Sequence, residues 1–240
     1  MKRFLTLFFL TISALLLDLN ANQLFKEHKT KILSINGNEA TVKSFKDVRI
    51  GSSGIALHHF DKKHSTIVAK VIVVSKNDKT TTLRFVPFKD LKQSVLPIPK
   101  ILPKVGDEVI LNYLYNYALP IAPNYNAYKQ IINNHKDIKW LHPDLFAAIL
   151  YTNGTPAPTK EDFQKMCSDY NFELLYFAID HIGYFTDCNS FKVIGEDFVD
   201  TGSKKMLPFF TRIKDIEASW YSFNKDSITD YDTYYKKLLR

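Results

Sequence analysis

The chain has 240 residues, of which 45% are hydrophobic and 24% charged, with a formal net charge of +7. That apolar content supports a packed core and excludes a disordered chain. The basic balance does not read as a nucleic-acid footprint: only Arg3, Arg49, Arg84, Arg212 and Arg240 are arginine, and the lysines are scattered along the sequence.

The first predicted element is a secretory leader. Lys2 and Arg3 precede an apolar run over 4–17, broken only by Thr6, Thr11 and Ser13, and Asp18-Leu19-Asn20-Ala21 provides a small-residue exit. The run falls short of the roughly 20 apolar residues of a membrane span. The reading is a signal peptide over 1–21, cleaved after Ala21, and a mature chain that works outside the cytoplasm. Nucleotide-driven and glutathione-buffered chemistry drop out with that compartment.

Residues 22–120 read as a small N-terminal β-barrel. Segments 31–35 and 39–44 flank Asn36-Gly37, a strong hairpin signal. A strand at 48–50 leads through Gly51-Ser52-Ser53-Gly54 into 55–57. The Val- and Ile-rich stretch 66–74 turns at 75–79 and returns over 81–88. Pro97, Pro99 and Pro103 interrupt further structure, and Val105-Gly106-Asp107-Glu108-Val109 opens a strand over 110–115. Short, evenly spaced strands with Gly and Asn turns are the pattern of a small barrel.

Residues 118–123, with Pro120 and Pro123, read as the joint to a second domain, 121–240, of α+β class. Tyr125, Tyr128, Ile131 and Ile132 recur at helical spacing. Pro143 suits the first position of a helix through residue 150. Thr159 and Asp162 form a capping-box pair, followed by Phe163, Met166, Cys167 and Tyr170 on one apolar face. Segments 172–179, 182–186 and 191–194 read as an antiparallel β-meander, with a further strand at 208–213. The closing amphipathic helix starts near Thr229 and buries Tyr231, Tyr234, Tyr235 and Leu238.

Cys167 and Cys188 are the two cysteines. In an exported chain they pair, and without Cys-X-X-Cys spacing the bridge reads as structural rather than redox-active.

Candidate chemistry is sparse. His58, His59, Asp61 and His64 are the densest group of metal-ligand types, yet the spacing matches no helical His pair or Cys cluster. Gly51-Ser52-Ser53-Gly54 lacks the spacing of a nucleophile elbow. Asp180-His181 reads as a tight turn. Glu173, Asp187, Glu196 and Asp197 read as surface acids. The sequence therefore implies no catalytic residue, no metal, no cofactor and no small-molecule substrate. An exported hydrolase built on His181 with Asp180 or Asp187 is the enzymatic alternative.

The order of motifs carries a resemblance. Val48-Arg49-Ile50-Gly51-Ser52-Ser53-Gly54, Lys104-Val105-Gly106-Asp107-Glu108-Val109 and Tyr117-Ala118-Leu119-Pro120-Ile121-Ala122-Pro123-Asn124 come in turn. Leu141-His142-Pro143-Asp144-Leu145-Phe146-Ala147-Ala148, Asp187-Cys188-Asn189-Ser190-Phe191 and Pro208-Phe209-Phe210-Thr211-Arg212-Ile213 follow, then the terminal helix. The chain resembles the N-terminal domain of bacterial plasminogen-binding surface proteins of Helicobacter- and Campylobacter-like organisms. The resemblance implies a cell-envelope protein that captures host plasminogen and is not an enzyme. Family members that bind plasminogen can carry a lysine-bearing C-terminal extension.

Kringle modules recognise a lysine-like zwitterion, a cation and an anion held apart by an apolar stem. Asp232, Lys236 and Arg240 sit at i, i+4 and i+8 on the last helix, Lys237 adds charge, and Arg240 offers a guanidinium beside an α-carboxylate. These four are the candidate binding residues. The competing reading is an ordinary helix end whose charges complement its dipole. The alternative function is a periplasmic scaffold or envelope-assembly protein that contacts other envelope proteins and binds plasminogen incidentally. Cell surface and periplasm both remain open.

Overall fold

The computed structural model describes residues 24–88, 101–213 and 228–240. The expected signal peptide, Pro97 and Pro99 lie outside the described residues.

β1 (His28–Lys31), β2 (Ser34–Asn36), β3 (Glu39–Lys43), β4 (Ser53–His59), β5 (Ser65–Lys76), β6 (Thr80–Val86) and β7 (Glu108–Leu111) build one antiparallel sheet in the order β1-β7-β4-β5-β6-β3-β2. Only Ile32 and Leu33 separate β1 from β2, so one chain segment supplies both edges. Ile32 N donates to Asp107 O at 2.9 Å, and Leu33 N to Thr41 O at 2.8 Å. The sheet is thus curled and barrel-like, and irregularities in the β4–β5 and β5–β6 ladders accommodate the curvature. Alternate residues fill its concave side, among them Ala40 and Val42, Val71 and Val73, Leu83, and Val109 and Leu111.

Gly54 has a steric role here. A Cβ at that position would collide with the carbonyl oxygen of Ile110 on the paired strand β7, so β4 and β7 approach only over a glycine. Residues 48–50, expected as a strand, form a loop instead. The Lys76 ammonium reaches the carbonyls of Phe45, Lys46 and Val48, satisfying acceptors that a strand would have paired. The strand expected over 110–115 ends at Leu111, after which Asn112 and Leu114 adopt positive φ.

The second sheet contains β8 (Tyr117–Ile121), β9 (Lys139–Trp140), β10 (Leu174–Ile179), β11 (Ile182–Asp187) and β12 (Val193–Phe198), in the order β12-β11-β10-β8-β9. β10, β11 and β12 form the antiparallel meander, and β8 adds to β10 in parallel. Residues 118–121 therefore lie in a strand rather than a linker. Pro120 is tolerated there because β9 pairs only with Tyr117 and Ala118, leaving the far side of Pro120 without a ladder partner in β9. The meander turns through Asp180 and His181, both with positive φ, as its tight-turn reading requires.

Every residue of β10 is buried, because both faces of the sheet are covered. Leu175, Phe177 and Ile179 pack with α2 (Pro143–Asn153), α3 (Lys160–Tyr170) and α4 (Tyr231–Leu238), around Phe146, Phe163 and Tyr235. Leu174, Tyr176 and Ala178 face Ala127 and Ile131 of α1 (Tyr125–Asn134), together with Phe25, Tyr115 and Phe185. The period of two along one strand thus feeds two separate cores.

The helix ends follow local chemistry. Thr159 and Asp162 exchange both capping-box hydrogen bonds at the start of α3. Pro143 opens α2, which runs to Asn153, three residues beyond the expected end, and Gly154 closes it in the left-handed region. Residues 208–213 form no strand. Phe209 is buried there and stacks on Phe146 with ring centroids 5.7 Å apart, so packing rather than sheet pairing holds the segment. Cys167 and Cys188 are joined by a disulfide that ties α3 to the loop after β11.

Candidate functional site

Three tyrosines, Tyr231, Tyr234 and Tyr235, set the orientation of α4. Tyr231 and Tyr235 are fully buried, and their phenols donate to Ile121 O and Pro208 O, both at 2.9 Å. Tyr234 donates to Pro158 O at 2.9 Å. Burial pushes both the Tyr231 and Tyr235 phenols well above their ordinary value, so they stay neutral donors. Asp230 caps the helix by accepting from Thr233 N at 2.8 Å, and that bonding holds its carboxyl below the usual carboxylate range.

With the tyrosines turned inward, Asp232, Lys236, Lys237 and Arg240 are left on the outer side. They do not behave alike. Asp232 is partly buried, accepts from the backbone of Asp180 at 3.1 Å and pairs with Lys205. Lys236 pairs with the Asp180 carboxylate. Asp180, Lys205, Asp232 and Lys236 thus alternate in sign across the β10–β11 turn and the helix. Lys237 and Arg240 are exposed and make no ion pair with a described residue. Lys205 and Asp180 were not among the candidate binding residues, since their relation to α4 exists only in the folded chain.

The histidine group at 58–64 does not converge. His58 meets Asp107 at 2.8 Å, His59 meets Glu108 at 2.8 Å and His64 meets Asp61 at 2.7 Å, each with its own carboxylate. Among the described residues, no group of three or more His, Cys, Asp or Glu is placed to hold a metal ion. His181 faces Asp200 at 3.3 Å, and neither Asp180 nor Asp187 pairs with its ring. No helix among the described residues is long and apolar enough to cross a membrane.

Where the two sheets meet, the structure corrects the reading of Glu173 and Asp187 as surface acids: they are 7% and 0% exposed. Asp187 Oδ2 accepts from Ser53 Oγ at 2.5 Å and from Tyr115 OH at 2.6 Å, while Oδ1 accepts from Ser190 N at 2.6 Å. Burial raises the Asp187 carboxyl above its ordinary value even against these donors. Beside it, Lys70 Nζ lies 2.8 Å from both Glu173 Oε1 and Asn189 Oδ1. Ser190 Oγ donates to Gly51 O at 2.6 Å, and Gln164 Nε2 donates to the carbonyls of Cys188 and Asn189. The local signal for this cluster was weak. Glu173 follows Phe172 and precedes Leu174-Leu175, and Asp187 precedes a half-cystine, but their partners lie about a hundred residues away in sequence.

The family model described as "Plasminogen-binding protein pgbA N-terminal" matches residues 27–239. A protein named plasminogen-binding protein PgbA from Helicobacter pylori strain J99 is 28% identical over 198 residues, covering 81% of this chain and 43% of that protein. Its counterpart in strain 26695 is 27% identical over the same coverage. The chain spans less than half the length of these curated relatives. With nearly all of its described residues inside the match, the chain belongs to the plasminogen-binding protein pgbA N-terminal family.

Proposed function

We propose that this chain is an exported cell-envelope protein that binds host plasminogen through the outer side of α4. The observation that carries the reading is the family match across 27–239, together with the names of the two relatives. In the finer reading, Lys237 and Arg240 are the cations presented to a kringle module. Lys236 contributes when its pairing with Asp180 opens, and Asp232 supplies the anion of a lysine-like dipole. The exposure of Lys237 and Arg240 supports this, as does the tyrosine anchoring that holds the helix rigid behind them. Rigid presentation lowers the ordering entropy of binding. Function without catalysis, a closed barrel over 22–120 and an α+β unit over 121–240 belong to the same reading.

The test is capture of plasminogen by the purified chain, with and without a free lysine analogue, and protease shaving of intact cells. Binding that the analogue abolishes, on a chain that shaving removes, is the expected result. Binding unaffected by the analogue overturns the lysine-like mechanism.

A second reading has its own support. Asp232 and Lys236 are engaged internally, which is what a helix end serving a scaffold looks like. In that case the chain remains shielded in the periplasm and contacts other envelope proteins.

A further inference from the structure

Lys70, Glu173 and Asn189 come from three separate parts of the chain: β5, the residue before β10, and the loop after β11. Lys70 and Glu173 are 6% and 7% exposed. Lys70 Nζ is 2.8 Å from Asn189 Oδ1 and 2.8 Å from Glu173 Oε1. Glu173 Oε2 accepts from Asn189 Nδ2 at 2.5 Å, and that same nitrogen donates to Ser53 Oγ at 3.1 Å. The amide orientation is dictated by its partners. Lysine only donates and a carboxylate only accepts, so Oδ1 must face Lys70 and Nδ2 must face Glu173.

We propose that Lys70 and Asn189 join in an intramolecular isopeptide bond, with Glu173 moving the protons. An amine, a carboxamide and a carboxyl group meet with Lys70 and Glu173 buried and Asn189 half-buried, and the carboxyl bridges the nucleophile and the leaving nitrogen. Charged lysine is no nucleophile. Burial disfavours both charges of the Lys70–Glu173 pair, so passage of one proton along the Nζ–Oε1 hydrogen bond gives a neutral amine and a neutral acid. The amine lone pair then attacks Asn189 Cγ, the carbon bonded to the oxygen that Nζ already touches. A Nζ–Cγ bond forms. Glu173 delivers its proton to Nδ2 and takes one from Nζ, the Cγ–Nδ2 bond breaks, and ammonia leaves.

The balance is complete. Of the three ammonium protons, one stays on the new amide, one departs on ammonia and one remains on Glu173. No oxidant, reductant or water is consumed. Holding the amine against the amide replaces an unfavourable encounter with an intramolecular step. The product is neutral, which removes the buried charge pair. It also links β5 of the first sheet to the residue next to Cys188, itself bonded to Cys167 on α3.

Intact-mass spectrometry of the reduced, full exported chain tests this. The expected mass is lower than the reduced sequence mass by one ammonia. Proteolysis should then yield a branched peptide containing both Lys70 and Asn189. The variants Lys70→Arg, Asn189→Ala and Glu173→Gln should each restore the full mass. A wild-type chain at full mass, with separate Lys70 and Asn189 peptides, overturns the proposal. So does ammonia loss with the Lys70 peptide released unbranched, since that is the signature of an asparagine cyclising onto its own backbone. The wild-type measurement decides the matter even where a variant fails to fold.

Discussion

Tyr115 donates its phenolic hydrogen to Asp187 Oδ2 across 2.6 Å, joining the loop after β7 to the end of β11 inside the protein. The same phenol oxygen accepts from Ser53 N at 2.8 Å, so one side chain serves both sheets. Burial and the neighbouring Asp187 push the Tyr115 phenol well above its ordinary value and keep its proton in place. Tyr115→Phe deprives Asp187 of one donor and strands a buried N–H. The expected loss is about 1–3 kcal/mol of unfolding free energy, read as a lowered denaturant midpoint. An unchanged midpoint would contradict the role assigned to this pair.

Asp144, in the first turn of α2, receives bonds from Arg212 N at 2.8 Å, Arg212 Nε at 2.6 Å and Thr211 Oγ1 at 2.8 Å. Burial works to raise its carboxyl, but these donors prevail and hold it below the ordinary 3.8. A lowered folded value means the stabilisation is present above 3.8 and is lost as pH falls through the folded value. Asp144→Asn should therefore destabilise the chain at neutral pH and flatten its acid limb. Thermal unfolding from neutrality down to about pH 2 provides the check.

The Cys167–Cys188 bridge spans 21 positions. Closing a loop of that size stabilises by about 3 kcal/mol in the chain-entropy picture. Cys167→Ala with Cys188→Ala should lower unfolding free energy by that order. The loop carrying Asn189 should also exchange its amide hydrogens faster, since Gln164 would then be its main tie to α3.

Asp180 restrains Lys236 and approaches Lys205, so it governs how much positive charge the α4 face presents. Asp180→Asn keeps a residue that tolerates the positive φ of the turn while releasing the Lys236 amine, Lys205 staying paired with Asp232. Plasminogen capture should rise about two- to fivefold, whereas Lys237→Ala with Arg240→Ala should lower it about five- to tenfold. Titration against immobilised kringle modules measures both. Equal affinity in all three proteins would move the contact away from α4.

Gly54→Ala should disrupt the β4–β7 pairing, because the added methyl meets backbone at Ile110 and Leu111 rather than a movable side chain. Circular dichroism and denaturant titration should show a less stable first sheet. Retention of wild-type stability would mean that the strands separate without penalty.

Several elements were legible because their causes are local. Thr159 and Asp162 announce a cap within four residues, Pro143 marks the start of a helix, and the spacing of Tyr231, Tyr234, Tyr235 and Leu238 writes out one helical face. Residues 48–50 and 208–213 misled for the opposite reason. Both have strand-like composition, yet Val48 is held with its loop by Lys76 and Phe209 by Phe146, contacts made from outside the segment.

By itself, the sequence determined where hydrophobic periodicity changes, how helices start, and that its two cysteines belong together. Those properties depend on side-chain spacing and turn chemistry within short windows. Only the tertiary structure decided which charges are spent and which are available. Glu173 and Asp187 look no different from surface acids until Lys70, Ser53 and Tyr115 arrive from the other sheet. Lys236 looks as open as Lys237 until the β10–β11 turn places Asp180 beside it. A charge is defined by its partners and its burial, and both come from residues far apart in the chain.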